Sequence, residues 1–198
     1  MPTERVEYQV ISQFNSLANQ FLIAMPQMLD PNFSGTLTYI CEHNEEGAMG
    51  IIINRPIKIG LNDILRQLDM PKSEKSHPIY WGGPVQEDTG FIIHTACAES
   101  EIHWESSMEV GKGIYLTSSK DIMKAISEDR GPEKFIIALG YAGWGGGQLE
   151  QELAENTWLC SPENAELLFD VDVSKKRKFA INSLGITEHQ LSAQIGHA

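Results

Sequence analysis

Two side chains in this sequence have the type and setting for chemistry on a small molecule, Arg55 and His94. Arg55, one of five arginines, stands between Asn54 and Pro56 at the end of an apolar run. A guanidinium fixed there could grip a carboxylate or phosphate bidentately, or pair with one of the chain's many carboxylates. His94 closes a second apolar run and could act as a general base. No nucleophile can be paired with it, since Ser12, Ser16 and Ser34 lie outside any nucleophile-elbow context, so a structural, hydrogen-bonded histidine is the plainer reading. His43 lies near Glu45 and Glu46, but no second histidine stands at helical spacing, and neither a metal nor a cofactor is expected. Cys41, Cys97 and Cys160 form no CxxC pair and read as free, buried thiols in a reducing compartment.

A third feature is a density of glycine. After the apolar run Phe135–Leu139, five glycines fall within eight residues: Gly140, Gly143, Gly145, Gly146 and Gly147. Glycine reaches positive φ freely and lets another backbone or a ligand approach, so the stretch predicts strand, glycine turn and then a helix from Gln148 to Glu155. Strand, turn and helix can receive an anion. The phosphate-binding signatures nonetheless fail: no Lys-Ser or Lys-Thr follows, Gln148 stands where a dinucleotide fingerprint needs glycine, and the helix opens with carboxylates. Two readings remain open. The glycines let Tyr141 and Trp144 fold against neighbouring strands, or they line a ligand site.

The elements that would position these residues follow from periodicity. Strands are expected at 21–24, 35–41, 48–54, 79–81, 91–94, 113–117, 135–139 and 157–160, with hairpins joining the second to the third and the fourth to the fifth. The acidic loop 42–47 and the turn Asp88-Thr89-Gly90 would interrupt them. Leu61, Ile64, Leu65 and Leu68 mark an amphipathic helix capped by Gly60 or Asn62. Ser118 or Ser119 caps a second helix through Ile126, with Ser118 and Asp121 in capping-box spacing. Residues 99–110 read as irregular, and Pro162 opens a turn of helix to Phe169. Asp172 caps a last helix over 173–184, ended by Gly185. Its basic run, Lys175-Lys176-Arg177-Lys178, fans around the axis and reads as a solvated face.

With 198 residues, 41% hydrophobic and 21% charged, the chain suits one globular domain. Residues 1–16 read as a mobile arm, 17–185 as a single α+β domain and 186–198 as a partly disordered tail. A net charge of −12 argues against broad contact with nucleic acid or an anionic membrane. No window approaches a membrane span and no basic leader precedes the domain, so a soluble, cytoplasmic protein is expected.

Three blocks in order are specific together: Gly47-Ala48-Met49-Gly50 leading to Asn54-Arg55-Pro56, Gly82-Gly83-Pro84-Val85 leading to Gly90-Phe91 and His94, and Gly140-Tyr141-Ala142-Gly143-Trp144 leading to Gly147-Gln148-Leu149-Glu150. In this arrangement, from about Phe21 to Leu184, the chain resembles the YqgE/AlgH family of bacterial proteins. The resemblance implies a curved, mixed or antiparallel, bifurcated sheet that partly closes into a pseudo-barrel with a few flanking helices. It implies no established catalysis: members are labelled uncharacterised, or transcriptional regulators after one linked to alginate production.

Three functions compete. The first is a non-enzymatic regulatory or binding protein whose surface near Asn54, Arg55, Gly82, Gly83, His94, Tyr141, Trp144 and Gln148 receives a small anionic ligand or a protein partner. The second is an enzyme acting on a phosphorylated metabolite or nucleotide, with Arg55 holding the anion and His94 as base. Direct DNA binding is the least favoured, given the charge and the absence of a helix-turn-helix pattern.

Overall fold

The computed structural model describes residues 15–96 and 104–193. The arm expected at 1–16 and Cys97 lie almost wholly or wholly outside them.

Among the described residues, ten strands form one branched sheet. Strand β1 (Phe21–Ala24), β2 (Leu37–Asn44) and β3 (Gly47–Ile52) run antiparallel in sequence order. The expected hairpin is present, but its acidic loop is shorter than expected: β2 continues to Asn44, and Glu45-Glu46 alone turn the chain. Strand β4 (Pro56–Gly60) follows, which the sequence reading missed, because Pro56 opens it and only two of its residues are large and apolar. Helix α1 (Leu61–Gln67) is capped at Gly60, whose amide donates to Asp63.

Strand β5 (Pro78–Trp81) and β6 (Val85–Thr95) do not form the expected hairpin. Instead β5 pairs with β4 and, in parallel, with β9 (Phe135–Gly145), while β6 lies antiparallel to β9 and to β8 (Ile114–Thr117). The expected turn at 88–90 is a wide irregularity inside β6, where Val85 faces Tyr141 and the next partner pair is Gly90 with Leu139. Part of the stretch expected to be irregular is β7 (Ser107–Gly111), paired with β8.

Helix α2 (Lys120–Ser127) starts after Ser119, whose hydroxyl bonds to Asp121 and to the Glu105 carbonyl, so no capping box with Ser118 forms. Helix α3 (Gln148–Ala154) leads to β10 (Trp158–Ser161) on β1, then α4 (Ala165–Phe169) and α5 (Val173–Ser183), capped by Asp172 as expected. The tail includes one more helix, α6 (Glu188–Ala193).

The sheet divides at β9. One edge of β9 is shared: Ile137–Leu139 pair with β5, and Ala142–Gly145 pair with β3. The other edge belongs to β6. Gly140 lies at the division with φ +73°, and there the alternation of faces reverses. Ile136 and Ala138 face the main core, which includes Phe21, Tyr39, Ile51 and Ile93, and beyond Gly140 that face is taken over by Tyr141. Ile137 faces a second core with α1 and α2, whereas Ala142 and Trp144 face a third core with Leu149 and Trp158. A one-residue irregularity flips every later side chain of a strand, so Gly140 lets one strand serve both branches.

Because β5 and β6 lie on opposite edges of β9, residues 82–84 must cross over it. They do so in backbone contact. Gly82 N–H donates to the Leu139 carbonyl at 2.7 Å, and its own carbonyl accepts from Ile52 N–H at 2.9 Å. A Cβ on Gly82 would lie 2.2 Å from the Gly140 carbonyl oxygen, and one on Gly83 would lie 2.2 Å from the Tyr141 carbonyl carbon. A Cβ on Gly140 would in turn meet the Gly83 oxygen at 2.3 Å. The glycines of two separate sequence blocks are thus each other's partners.

Candidate functional site

The eight residues singled out from sequence do not converge. His94 pairs with Phe135 and Trp144 with Ala48, near opposite ends of β9, which places them about 30 Å apart along the strand.

Arg55 follows β3 and turns its guanidinium onto backbone. Nη1 donates to the Asn32 carbonyl and Nη2 to the Ser34 carbonyl, each at 2.7 Å, and the group lies 5.5 Å from the Trp81 ring centroid. Burial lowers its pKa while Asp30 opposes the shift. Asn54 fastens the same loop, accepting from Leu37 N–H and donating to the Gly35 carbonyl. Together they pin residues 32–37 to the end of β3.

His94 is buried. Its Nδ1 lies 2.8 Å from the Thr95 carbonyl, which can only accept, so Nδ1 carries the proton. Burial lowers its pKa, opposed by that bond, and Nε2 lies 2.8 Å from the Thr117 hydroxyl, which is also bonded to the Ser107 hydroxyl. Both nitrogens are therefore engaged, and His94 lines none of the cavities described below.

Trp144 is also buried. Its Nε1–H and that of Trp158 both donate to Oε2 of Glu152, at 2.9 and 2.7 Å, while Gln148 donates to Oε1 and accepts from Gly145 N–H. The motif from Tyr141 to Glu150 thus joins β9 to α3 and β10 through a carboxylate, Glu152, that the sequence reading did not single out. Two tryptophans and an acid at helical reach were the available signal.

Of the eight, Tyr141 and Trp144 line an open groove on β2, β3, β6 and β9. The groove has a volume of about 490 Å³. Met49, Val85 and Tyr141 form its apolar floor, with Gly143 so close that a Cβ there would lie 3.3 Å from the Tyr141 ring. Glu42 and Glu46 stand at its sides with Asn44 between them. Asn44 donates to Glu42 and accepts from Glu46 N–H, which leaves the Glu46 carboxylate exposed and without a partner among the described residues. Among the described residues, no cation lines this groove. The sequence marks 42–47 only as an acidic loop, and nothing in it joins those acids to Tyr141, almost a hundred residues away.

A second cavity, about 390 Å³, lies over Ile92, Ile137 and Leu139 between α1 and α2. Among the described residues no three His, Cys, Asp or Glu side chains meet as a metal site, and no helix is long and apolar enough to cross a membrane. Burial pushes the Cys41 and Cys160 thiols up, away from the reactive thiolate.

Comparison with known proteins decides the family. The AlgH-like family pattern matches residues 21–189. The chain belongs to the AlgH-like family. It is 47% identical over 187 residues to a UPF0301 protein of Hahella chejuensis, covering 94% of this chain and 99% of that one. A UPF0301 protein of Shewanella oneidensis is 47% identical over 189 residues, covering 92% and 99%. The solution structure of the AlgH protein from Pseudomonas aeruginosa superposes with a TM-score of 0.75 at 42% identity, covering all of both chains. A crystal structure from Corynebacterium diphtheriae, with a TM-score of 0.71 at 17% identity over 90% and 93% of the chains, shares the fold. The branched, curled sheet is thus the AlgH-like architecture.

Proposed function

We propose that this AlgH-like chain is a non-enzymatic binding protein, and that its acidic groove receives a lysine- or arginine-bearing segment of a protein partner. The observation that carries this is the groove itself: an aromatic and aliphatic floor of Tyr141, Met49 and Val85 between Glu42 and Glu46, with no cation among the described residues that line it. An ammonium or guanidinium would meet two carboxylates and a ring face. The net charge of −12 draws cationic partners and repels nucleic acid, so a regulatory role would run through protein contact.

The test is an NMR titration with a short Lys/Arg-rich peptide. Shifts should centre on Tyr141 and Met49, weaken with salt, and disappear in a Glu42→Lys, Glu46→Lys double variant. Removing the ring by Tyr141→Ala should weaken binding about fivefold, the size of an exposed cation–π contact. Shifts scattered over the whole acidic surface, unchanged by these substitutions, would overturn the proposal.

A further inference from the structure

The basic run on α5 is not a solvated face. Lys175 and Lys178 are exposed, Arg177 is half-buried against Glu188 and the Ala24 carbonyl, and Lys176 is only 3% exposed. Its ammonium donates to the Leu167 and Leu168 carbonyls at 2.8 and 2.5 Å. These lie in the last turn of α4, where carbonyls have no partner within the helix.

Capping α4 accounts for two of the three N–H groups. It leaves the charge without a carboxylate in contact, although Asp170 and Asp172 act on it from a distance. Asp170 is engaged by Lys134 and Asp172 caps α5, and no ion pair to Lys176 forms among the described residues. A buried ammonium without a contacting counter-ion is costly, and an anion taken up beside it would relieve that cost.

Room for one exists. A cavity of about 180 Å³ lies between α5 and strands β5 and β9, and Lys176 borders it. Tyr80 and His77 are the other lining residues with polar side chains, and neither side chain makes a hydrogen bond to another described residue. Burial raises the Tyr80 pKa, with Asp172 adding to the shift, so the phenol keeps its proton and can donate. His77 packs against Phe135, with ring centroids 4.6 Å apart and planes tilted by 47°. Phe135 and Phe169 make the remaining wall apolar. At roughly 30 Å³ per water, the space holds about six non-hydrogen atoms.

We propose that this cavity binds a small oxyanion, of carboxylate or phosphate size, held by the Lys176 ammonium and the Tyr80 hydroxyl against Phe135 and Phe169. The groove at Tyr141 plays no part in it, so either proposal can fail alone.

The experiment is an NMR titration of the full chain with sodium acetate and, separately, with inorganic phosphate, at ionic strength held constant with chloride. The His77 ring and Lys176 Nζ signals should shift saturably, with a dissociation constant in roughly the millimolar range that suits so small a ligand. Saturation by acetate alone identifies a carboxylate site, and by phosphate alone a phosphate site. Lys176→Met should abolish the shift at His77. Tyr80→Phe, which keeps the ring and removes one donor, should weaken binding about five- to tenfold. Chloride reproducing the shift, no saturation with either anion, or wild-type affinity in Tyr80→Phe would each overturn the proposal.

Discussion

At Gly82, Gly83 and Gly140 two stretches of backbone cross with no side chain between them, and the Gly82 amide and carbonyl each have a backbone partner. Against the opposite half of β9, Lys176 extends a long side chain to the end of another helix and leaves a cavity with unused donors beside it. The crossing itself, whose glycines look most like a ligand loop in sequence, is closed by its own backbone, and the open groove begins only beyond it, at Tyr141 and Gly143. The region that looks like ordinary solvated charge holds the buried cation. A dense motif can therefore record contact between two parts of one chain, while binding capacity gathers where polar groups remain unmatched.

The largest effect expected from this contrast is at the crossing. Gly83→Ala places a Cβ inside the Tyr141 backbone at φ +150° and should cost about 4 kcal/mol or more, read from the urea midpoint. Gly113→Ala, at φ +71° with nothing within 4 Å, isolates the conformational part and should cost about 1–2 kcal/mol. Equal losses at the two positions would break the comparison.

The Lys176 side is sharpened by pH. Burial lowers its pKa to about 8 from 10.5, opposed by Asp170 and Asp172, so the folded chain binds this proton less tightly than the unfolded one. The destabilisation is fully present below pH 8 and is relieved as the pH rises towards 10.5. Wild type should therefore gain on the order of 2–3 kcal/mol over that interval relative to Lys176→Met, measured by urea unfolding at each pH. Parallel pH profiles would show that the ammonium carries no burial penalty.

The smallest effect should come from Arg55→Lys. An ammonium cannot hold the Asn32 and Ser34 carbonyls in the same fork or stack as well on Trp81, so a loss of about 1 kcal/mol is expected, with hydrogen exchange of residues 32–37 rising.

Much of the fold could be read from local pattern. Leu61, Ile64, Leu65 and Leu68 announce α1, and Asp172 and Gly185 bracket α5, because helical spacing and caps are local signals. The second half of β9 could not be read so easily, since Gly140, Gly143 and Gly145 suggest a turn unless the crossing at Gly82-Gly83 is known. The same holds for β5, whose partners are β4 and a strand more than fifty residues later. Of the site, Tyr141 was legible and its neighbours Glu42 and Glu46 were not, because a groove joining four strands leaves no periodic trace in any one of them. Lys176 was hidden for another reason. It lies within a run of like residues, and only the position of α4 selects which of them turns inward.

The crossing also orders events in time. Residues 82–84 bridge a strand that begins at Phe135, so the ribosome completes the bridge about fifty residues before it makes what passes beneath. At roughly 5–20 residues per second the flanks of β5 and β6 stay unpaired for several seconds, with apolar Ile79, Ile92 and Ile93 uncovered. Vectorial synthesis thus gives this chain an interval in which its central strand is missing, and it is then that chaperones would find it.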